Sequence, residues 1–287
     1  MTRRDELADA RAQEAMADVR DFYNRTVEHE WNRLDRPLQR VEYLSTLRLV
    51  EAHFATSGTV CDIGCGPGRY AIELARRGYR VSLVDVARRS LDRAQAEFLK
   101  AGCAADRVIE ASATDLSMLS DETFDCALLL GPLYHLPGSD ERRQALLELR
   151  RILKPGGVAI VSYLNTWGII RTGISDLSSW YRSLDTLRSL LRERALTSSE
   201  LSDFTAAYWT TPPNALREVE GCDFEVVTYA GVEGFCGGMW PLLQSLAERD
   251  PEAYENVVTV AAETSELPQY RDATDHLHLV VRRPLAR

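Results

Sequence analysis

Residues 60–70 read VCDIGCGPGRY, an apolar run that ends in a carboxylate and passes straight into glycines 64, 66 and 68. Val60, Cys61 and Ile63 make a short buried strand, and residues 68–78, GRYAIELARRG, make an amphipathic helix closed by Gly78. Glycine at a strand-to-helix junction permits positive φ and lets a ligand approach the backbone closely. The helix that follows aims its unsatisfied N–H groups at the same point. In an open parallel sheet, ligands bind beyond the carboxyl ends of the strands, where this loop lies. A nucleoside is the expected ligand.

Two kinds of nucleoside fit such a loop, and the details separate them. The dinucleotide fingerprint is G-x-G-x-x-G. Here the third glycine comes one position early, and Arg69 occupies the fingerprint's last place. Pro67 removes an amide donor that a pyrophosphate would use, and Asp62 would repel one. The second strand-like run, YRVSLVDV at 79–86, ends in Asp85 and Val86, with Asp85 placed to accept hydrogen bonds from ribose hydroxyls. An adenosine compound that is cationic rather than phosphorylated satisfies both sites, and S-adenosylmethionine has that form. An NAD-dependent oxidoreductase is the weaker reading.

Outward from this loop the chain alternates strands and helices as far as Asn165. Strands are expected at 58–64, 79–86, 106–112, 123–131 and 158–164, with a helix over 140–153 between the last two. That alternation predicts right-handed βαβ units and a parallel sheet. Residues 4–57 read as two or three helices, and 166–207 as mainly helical. A strand follows at 223–232, a helical stretch at 240–264 and a last strand at 275–283. The expected fold is a doubly wound α/β sheet, mostly parallel and seven-stranded, with an antiparallel last strand. N-terminal helices and a helical insertion after the fifth strand form a lid. The divisions read from the sequence are 1–57 (helical lid), 58–164 (cofactor-binding core), 165–220 (helical cap) and 221–287 (the rest of the sheet).

Composition bounds the function. A net charge of −9 over 287 residues, with no Lys/Arg run, disfavours nucleic acid as a partner. No apolar run approaches the length of a membrane span, and the polar N-terminus lacks a secretory pattern, so a soluble cytoplasmic protein is expected. The cysteines at 61, 65, 103, 126, 222 and 236 include no C-x-x-C pair and read as reduced thiols, mostly in the core. His276 and His278 share one face of the last strand without a clear third ligand. They read as a satisfied pair, and no metal is expected.

The motifs VCDIGCGPGRY (60–70), VSLVDV (81–86), ASATDL (111–116), FDCALLLGPLYHL (124–136) and LRRILKPGGVAIVS (149–162) occur in order. On them the chain resembles a class I, Rossmann-like S-adenosylmethionine-dependent methyltransferase of the small-molecule type. The resemblance implies that Asp62, Gly64, Cys65 and Gly66 line the methionine and ribose end of the cofactor and that Asp85 and Val86 meet the ribose. Ser112 and Ala113 would flank the adenine, and Leu130 and Gly131 would offer carbonyls to the ammonium. Relatives often carry an acid where Ser112 stands, so that contact would be weaker or would be taken over by Thr114 or Asp115. Tyr23 would help close the cofactor site, and Arg33 would pair with the cofactor's carboxylate.

Methyl transfer from a sulfonium is an in-line displacement in which alignment and exclusion of water matter most, so a general base is optional. His135 is the candidate base, because an imidazole titrates near neutrality and it follows the fourth strand closely. Tyr134 is a candidate hydrogen-bonding partner. Trp31, His135, Trp167, Tyr208 and Trp209 are expected to shape the pocket of a compact, partly apolar acceptor, although large aromatics also fill cores. The sequence leaves open a same-fold enzyme with other chemistry and a non-catalytic cofactor-binding subunit. The acceptor atom (O, N, S or C) and the assembly, a homodimer included, are open as well.

Overall fold

The computed structural model describes residues 3–176, 180–192, 195–196 and 205–285. Three helices lead the chain: α1 (Arg3–Arg25), α2 (Val27–Arg33) and α3 (Pro37–His53). Pro37 opens α3, where a missing N–H costs nothing. The alternating segment follows as β1 (Thr59–Ile63), α4 (Arg69–Arg76), β2 (Arg80–Asp85), α5 (Arg88–Lys100), β3 (Arg107–Glu110), β4 (Phe124–Leu129), α6 (Ser139–Ile152) and β5 (Leu153–Asn165). A 3₁₀ turn, Pro132–His135, lies between β4 and α6. The remainder comprises α7 (Thr166–Asp176), α8 (Leu184–Arg192), β6 (Ala195–Leu196), β7 (Ala207–Thr210), α9 (Pro212–Glu220), β8 (Glu225–Gly231), α10 (Trp240–Arg249), α11 (Pro251–Glu263), α12 (Pro268–Arg271) and β9 (His276–Arg282).

β1 pairs in parallel with β2 and with β4, β2 with β3, and β4 with β5. β9 runs antiparallel between β5 and β8. These seven strands are the expected mostly parallel sheet with its antiparallel last strand. The sheet has nine strands in all, because the stretch expected to be helical after β5 contains β6 and β7. β7 pairs with the tip of β5 (Leu164 with Trp209, Asn165 with Thr210) and antiparallel with β6. Four-residue AYWT was too short to show a period. The helical reading of 177–179, 193–194 and 197–204 lies outside the described residues. The expected helix over 240–264 is two helices, split at Asp250, whose carboxylate caps α11 by accepting from the Ala253 N–H at 3.0 Å.

Both faces of the central strands are buried, which is why they read as continuous apolar runs. Cys61 and Ile63 of β1, Ala127 and Leu129 of β4 and Leu277 and Leu279 of β9 pack on one face with α6 and α9. Val60, Cys126, Leu128 and Val280 pack on the other with α3, α4 and α5. Each fully buried Leu or Val contributes about 1.5–3 kcal/mol to folding. All six cysteines are thiols, and only Cys103 is not buried. Among the described residues no helix is long and apolar enough to cross a membrane.

Candidate active site

The carboxyl ends of β1, β2 and β4 open into a cleft roofed by α1 and α2. The Gly64 and Cys65 N–H groups both donate to the Val84 carbonyl, at 2.8 and 3.0 Å, which ties the glycine loop to β2. Gly68 (φ +86°) lies against α5, and a Cβ there would stand 2.9 Å from the Cβ of Ala94. Gly66 (φ +53°) differs: a Cβ there would meet no heavy atom within 4 Å, so its missing side chain leaves open space in the cleft wall.

Asp85 closes the other side of the loop. Its Oδ2 accepts from the Gly66 N–H and its Oδ1 from the Ala87 N–H, both at 2.8 Å. Burial raises its carboxyl to about 6, against the lowering effect of those backbone donors. Asp62, buried beside it, is pushed up to about 7, by burial and then by the Asp85 charge. Ala111, Ser112 and Ala113 line the cleft beyond β3, whereas Thr114 and Asp115 do not. Thr114 instead closes a turn on Ser112, with the hydroxyls 2.8 Å apart, and Asp115 accepts from the Ser117 N–H. The Leu130 carbonyl accepts from the Tyr134 hydroxyl at 3.1 Å.

His135, on the 3₁₀ turn, lines the same cleft. Its Nδ1 lies 3.0 Å from the Ala206 carbonyl, and its Nε2 lies 2.6 Å from the Tyr23 hydroxyl. A carbonyl only accepts, so Nδ1 carries the proton and Nε2 accepts from Tyr23. Burial lowers the imidazole to about 4, which keeps it neutral at pH 7.

The structure places Arg33 in the cleft, but in an ion-paired state. Its two Nη atoms grip both oxygens of Glu42, at 2.7 and 3.0 Å, and its Nε lies 3.2 Å from Glu30. Behind Glu42, His276 Nδ1 lies 2.7 Å from Glu233 Oε1. Burial opposes the His276 charge, but Glu42 and Glu233 prevail and raise it to about 9. Burial would raise Glu42, yet Arg33 and His276 hold it down to about 2. His278 Nδ1 lies 3.3 Å from the Thr46 hydroxyl, so each histidine of the pair has a protein partner. Glu42, Glu233 and His276 bring ligand-type atoms within 4.8 Å of one another, but Arg33 already supplies the cation there.

Among the aromatics expected at the acceptor, only His135 lines the cleft. Trp31 lies outside the cleft lining, with the guanidinium carbons of Arg69 and Arg93 at 5.0 and 4.9 Å from its ring centroid. Trp167 is half-exposed. Tyr208 stacks under Arg142 at 3.6 Å, and Trp209 packs with Tyr134, Leu164 and Leu190. They join the insertion to the back of the 3₁₀ turn, because β7 pairs beside the tip of β5. Lining residues that sequence reasoning did not single out include Met16, Val19, Glu30, Glu42, Tyr70 and Leu136. Of these Glu42 had a signal: a carboxylate on the apolar face that carries Leu38, Val41 and Leu49.

A glycine loop after β1, an acid ending β2 and the 3-2-1-4-5 strand order with an antiparallel strand beyond define the class I S-adenosylmethionine-dependent methyltransferase fold. Residues 60–157 match the family described as "Methyltransferase domain". The chain is 34% identical over 157 residues to the cypemycin N-terminal methyltransferase of a Streptomyces species, covering 54% of this chain and 59% of that protein. It is 32% identical over 140 residues to the ubiquinone biosynthesis O-methyltransferase of Paracidovorax citrulli, covering 48% of this chain and 58% of that one. The chain thus spans a little over half the length of these relatives. The crystal structure of Burkholderia thailandensis 1,6-didemethyltoxoflavin-N1-methyltransferase, with 1,6-didemethyltoxoflavin and S-adenosylhomocysteine bound, superposes with a TM-score of 0.59 at 15% identity, over 95% of this chain and 90% of that one.

Proposed function

We propose that this protein transfers a methyl group from S-adenosylmethionine to a small molecule. The reading rests chiefly on the open space at Gly66 beside the buried Asp85, a cradle that a side chain would fill. Gly64, Cys65 and Gly66 let the cofactor lie against the backbone. Asp85 accepts from the ribose hydroxyls, Asp62 faces the cationic end, and Ala111, Ser112 and Ala113 flank the base. When bound, S-adenosylmethionine supplies a methyl group activated by a sulfonium.

The chain's own part is to orient and exclude water and, at His135 Nε2, to hold the acceptor's proton. The neutral tautomer imposed by the Ala206 carbonyl leaves Nε2 as the acceptor for that proton. Glu42 and Glu30 occupy Arg33 and make that end of the cleft acidic, which favours an ammonium over a carboxylate. The reading makes 1–57 the lid, 58–164 the cofactor core, 165–220 the wall behind the 3₁₀ turn and 221–287 the remaining sheet, in a cytoplasmic enzyme. Titration calorimetry tests the cofactor: S-adenosylhomocysteine should bind and NAD should not. Incubation with methyl-labelled cofactor and a metabolite extract should then yield a labelled small product. Tight binding without any labelled product would overturn the transfer.

A further inference from the structure

The phenol of Tyr23 faces the one ring nitrogen in the cleft that is suited to take a proton. Because the Ala206 carbonyl fixes hydrogen on Nδ1, a neutral His135 offers Nε2 solely as an acceptor. Any group opposite Nε2 must therefore bring a hydrogen, which excludes carbonyl, ether and carboxylate groups. The place is also built for a ring. Tyr23 meets the imidazole edge-on at 5.3 Å and 76°, Phe22 packs edge-on against Tyr23 at 5.2 Å, and Tyr134 meets His135 at 4.8 Å. The hydroxyl sits at 2.6 Å, a short and well-formed contact.

The element that carries Tyr23 is lightly anchored among its described side chains. Among the side chains described in α1, Val19 is the one that is buried, and the rest are exposed or half-buried. By contrast α3 buries Leu38, Val41, Leu47, Leu49 and Val50. Apolar burial holds helices in place, so the roof, in which α2 likewise buries only Val27, is more easily lifted from the cleft than α3.

We infer that Tyr23 stands in for the acceptor, and that the acceptor is a phenol whose hydroxyl takes over the hydrogen bond to His135 Nε2 when α1 moves Tyr23 aside. This rests on the methyltransferase reading of the cleft. In the transfer the phenolic proton goes to Nε2, giving an imidazolium whose Nδ1–H stays on the Ala206 carbonyl. The phenolic oxygen's electron pair forms the bond to the methyl carbon, and the carbon–sulfur bond breaks with its pair left on sulfur.

The test uses catechol, anisole and benzylamine as probes of the full-length chain and of Tyr23→Ala and Tyr23→Phe, read by ring-nitrogen NMR of His135. Vacating the seat should tighten catechol binding about tenfold or more in Tyr23→Ala. Tyr23→Phe, which keeps the ring and is expected to fold like the wild type, should show a smaller gain. Catechol should shift the His135 Nε2 signal, and anisole, which lacks the donor, should bind more weakly than catechol. Unchanged or weaker catechol binding in Tyr23→Ala would make Tyr23 part of the site and overturn the inference. So would anisole binding as tightly as catechol, or benzylamine binding more tightly, which would point to an amine acceptor. S-adenosylhomocysteine titrated into the wild type reports separately: its failure to bind sinks the methyltransferase reading, whereas its binding without a catechol gain sinks the stand-in alone.

Discussion

Replacing Gly66 by alanine separates what the glycine loop does for the ligand from what it does for the fold. The backbone there has φ +53°, and an added Cβ would meet nothing within 4 Å. The protein loses only the left-handed backbone preference, about 1–2 kcal/mol, which for a chain of this size lowers the melting temperature by a few degrees. The methyl group fills the space a ligand needs, so S-adenosylhomocysteine should bind about tenfold more weakly or worse, a loss of about 1.4 kcal/mol or more. Gly68→Ala is the control. It has the same kind of backbone cost at φ +86°, and its Cβ also stands 2.9 Å from Ala94 Cβ in the α4–α5 contact. Overpacking adds about 1–3 kcal/mol, so Gly68→Ala should melt below Gly66→Ala. Calorimetric titration and thermal melts read both effects. Wild-type affinity in Gly66→Ala would show that no ligand approaches this wall, and the cofactor assignment would fall with it.

Cofactor affinity should rise with pH between about 5 and 8, because the ionised forms of Asp85 (about 6) and Asp62 (about 7) accept from hydroxyl and ammonium donors. In Asp62→Asn, calorimetry across pH should lose the upper part of that rise. Arg142 is buried, donates to the Leu136 and Pro137 carbonyls and pairs with Glu218 at 2.8 Å. Arg142→Met should cost about 3 kcal/mol in urea unfolding and loosen the turn that holds His135. His276 is raised from 6.5 to about 9 in the fold. Its pairing therefore stabilises fully below about pH 6.5 and is lost as pH rises through 9, roughly 3 kcal/mol over the window. Glu233→Gln should flatten that alkaline decline in melting temperature, and an unchanged slope would place its origin elsewhere.

The sheet was legible because it obeys local rules. β1, β2 and β4 are short apolar runs buried on both faces, and their carboxyl ends carry the glycines and acids that a parallel sheet presents to a ligand. Asp62 and Asp85 could be placed from their own positions in those runs. The rest of the site depends on partners far apart in the chain. Tyr23 and His135 are 112 residues apart, and their contact follows from how α1 lies over the cleft. Arg33 looked like an available cation because its bidentate partner, Glu42, comes from a different helix, α3. Trp31 looked like a pocket aromatic because the guanidiniums over its ring, from Arg69 and Arg93, come from positions far along the chain.

The same network sharpens the choice of cofactor that the glycine spacing first raised. The cleft is lined by four carboxylates (Glu30, Glu42, Asp62 and Asp85) and two guanidiniums, Arg33 and Arg69. Arg33 is bound by Glu42 and Glu30, and Arg69 is bound by Asp35 at 2.7 Å. Both cations that could have faced a diphosphate are thus paired with protein carboxylates. A phosphate charge 4 Å from Asp85 would meet repulsion of about 4 kcal/mol at an effective dielectric of 20. A sulfonium or ammonium would gain a similar amount. The loop's spacing and Pro67 argue against a diphosphate from the backbone, and the pairing of Arg33 and Arg69 argues against it from charge. Two features set by different parts of the chain therefore select the same ligand.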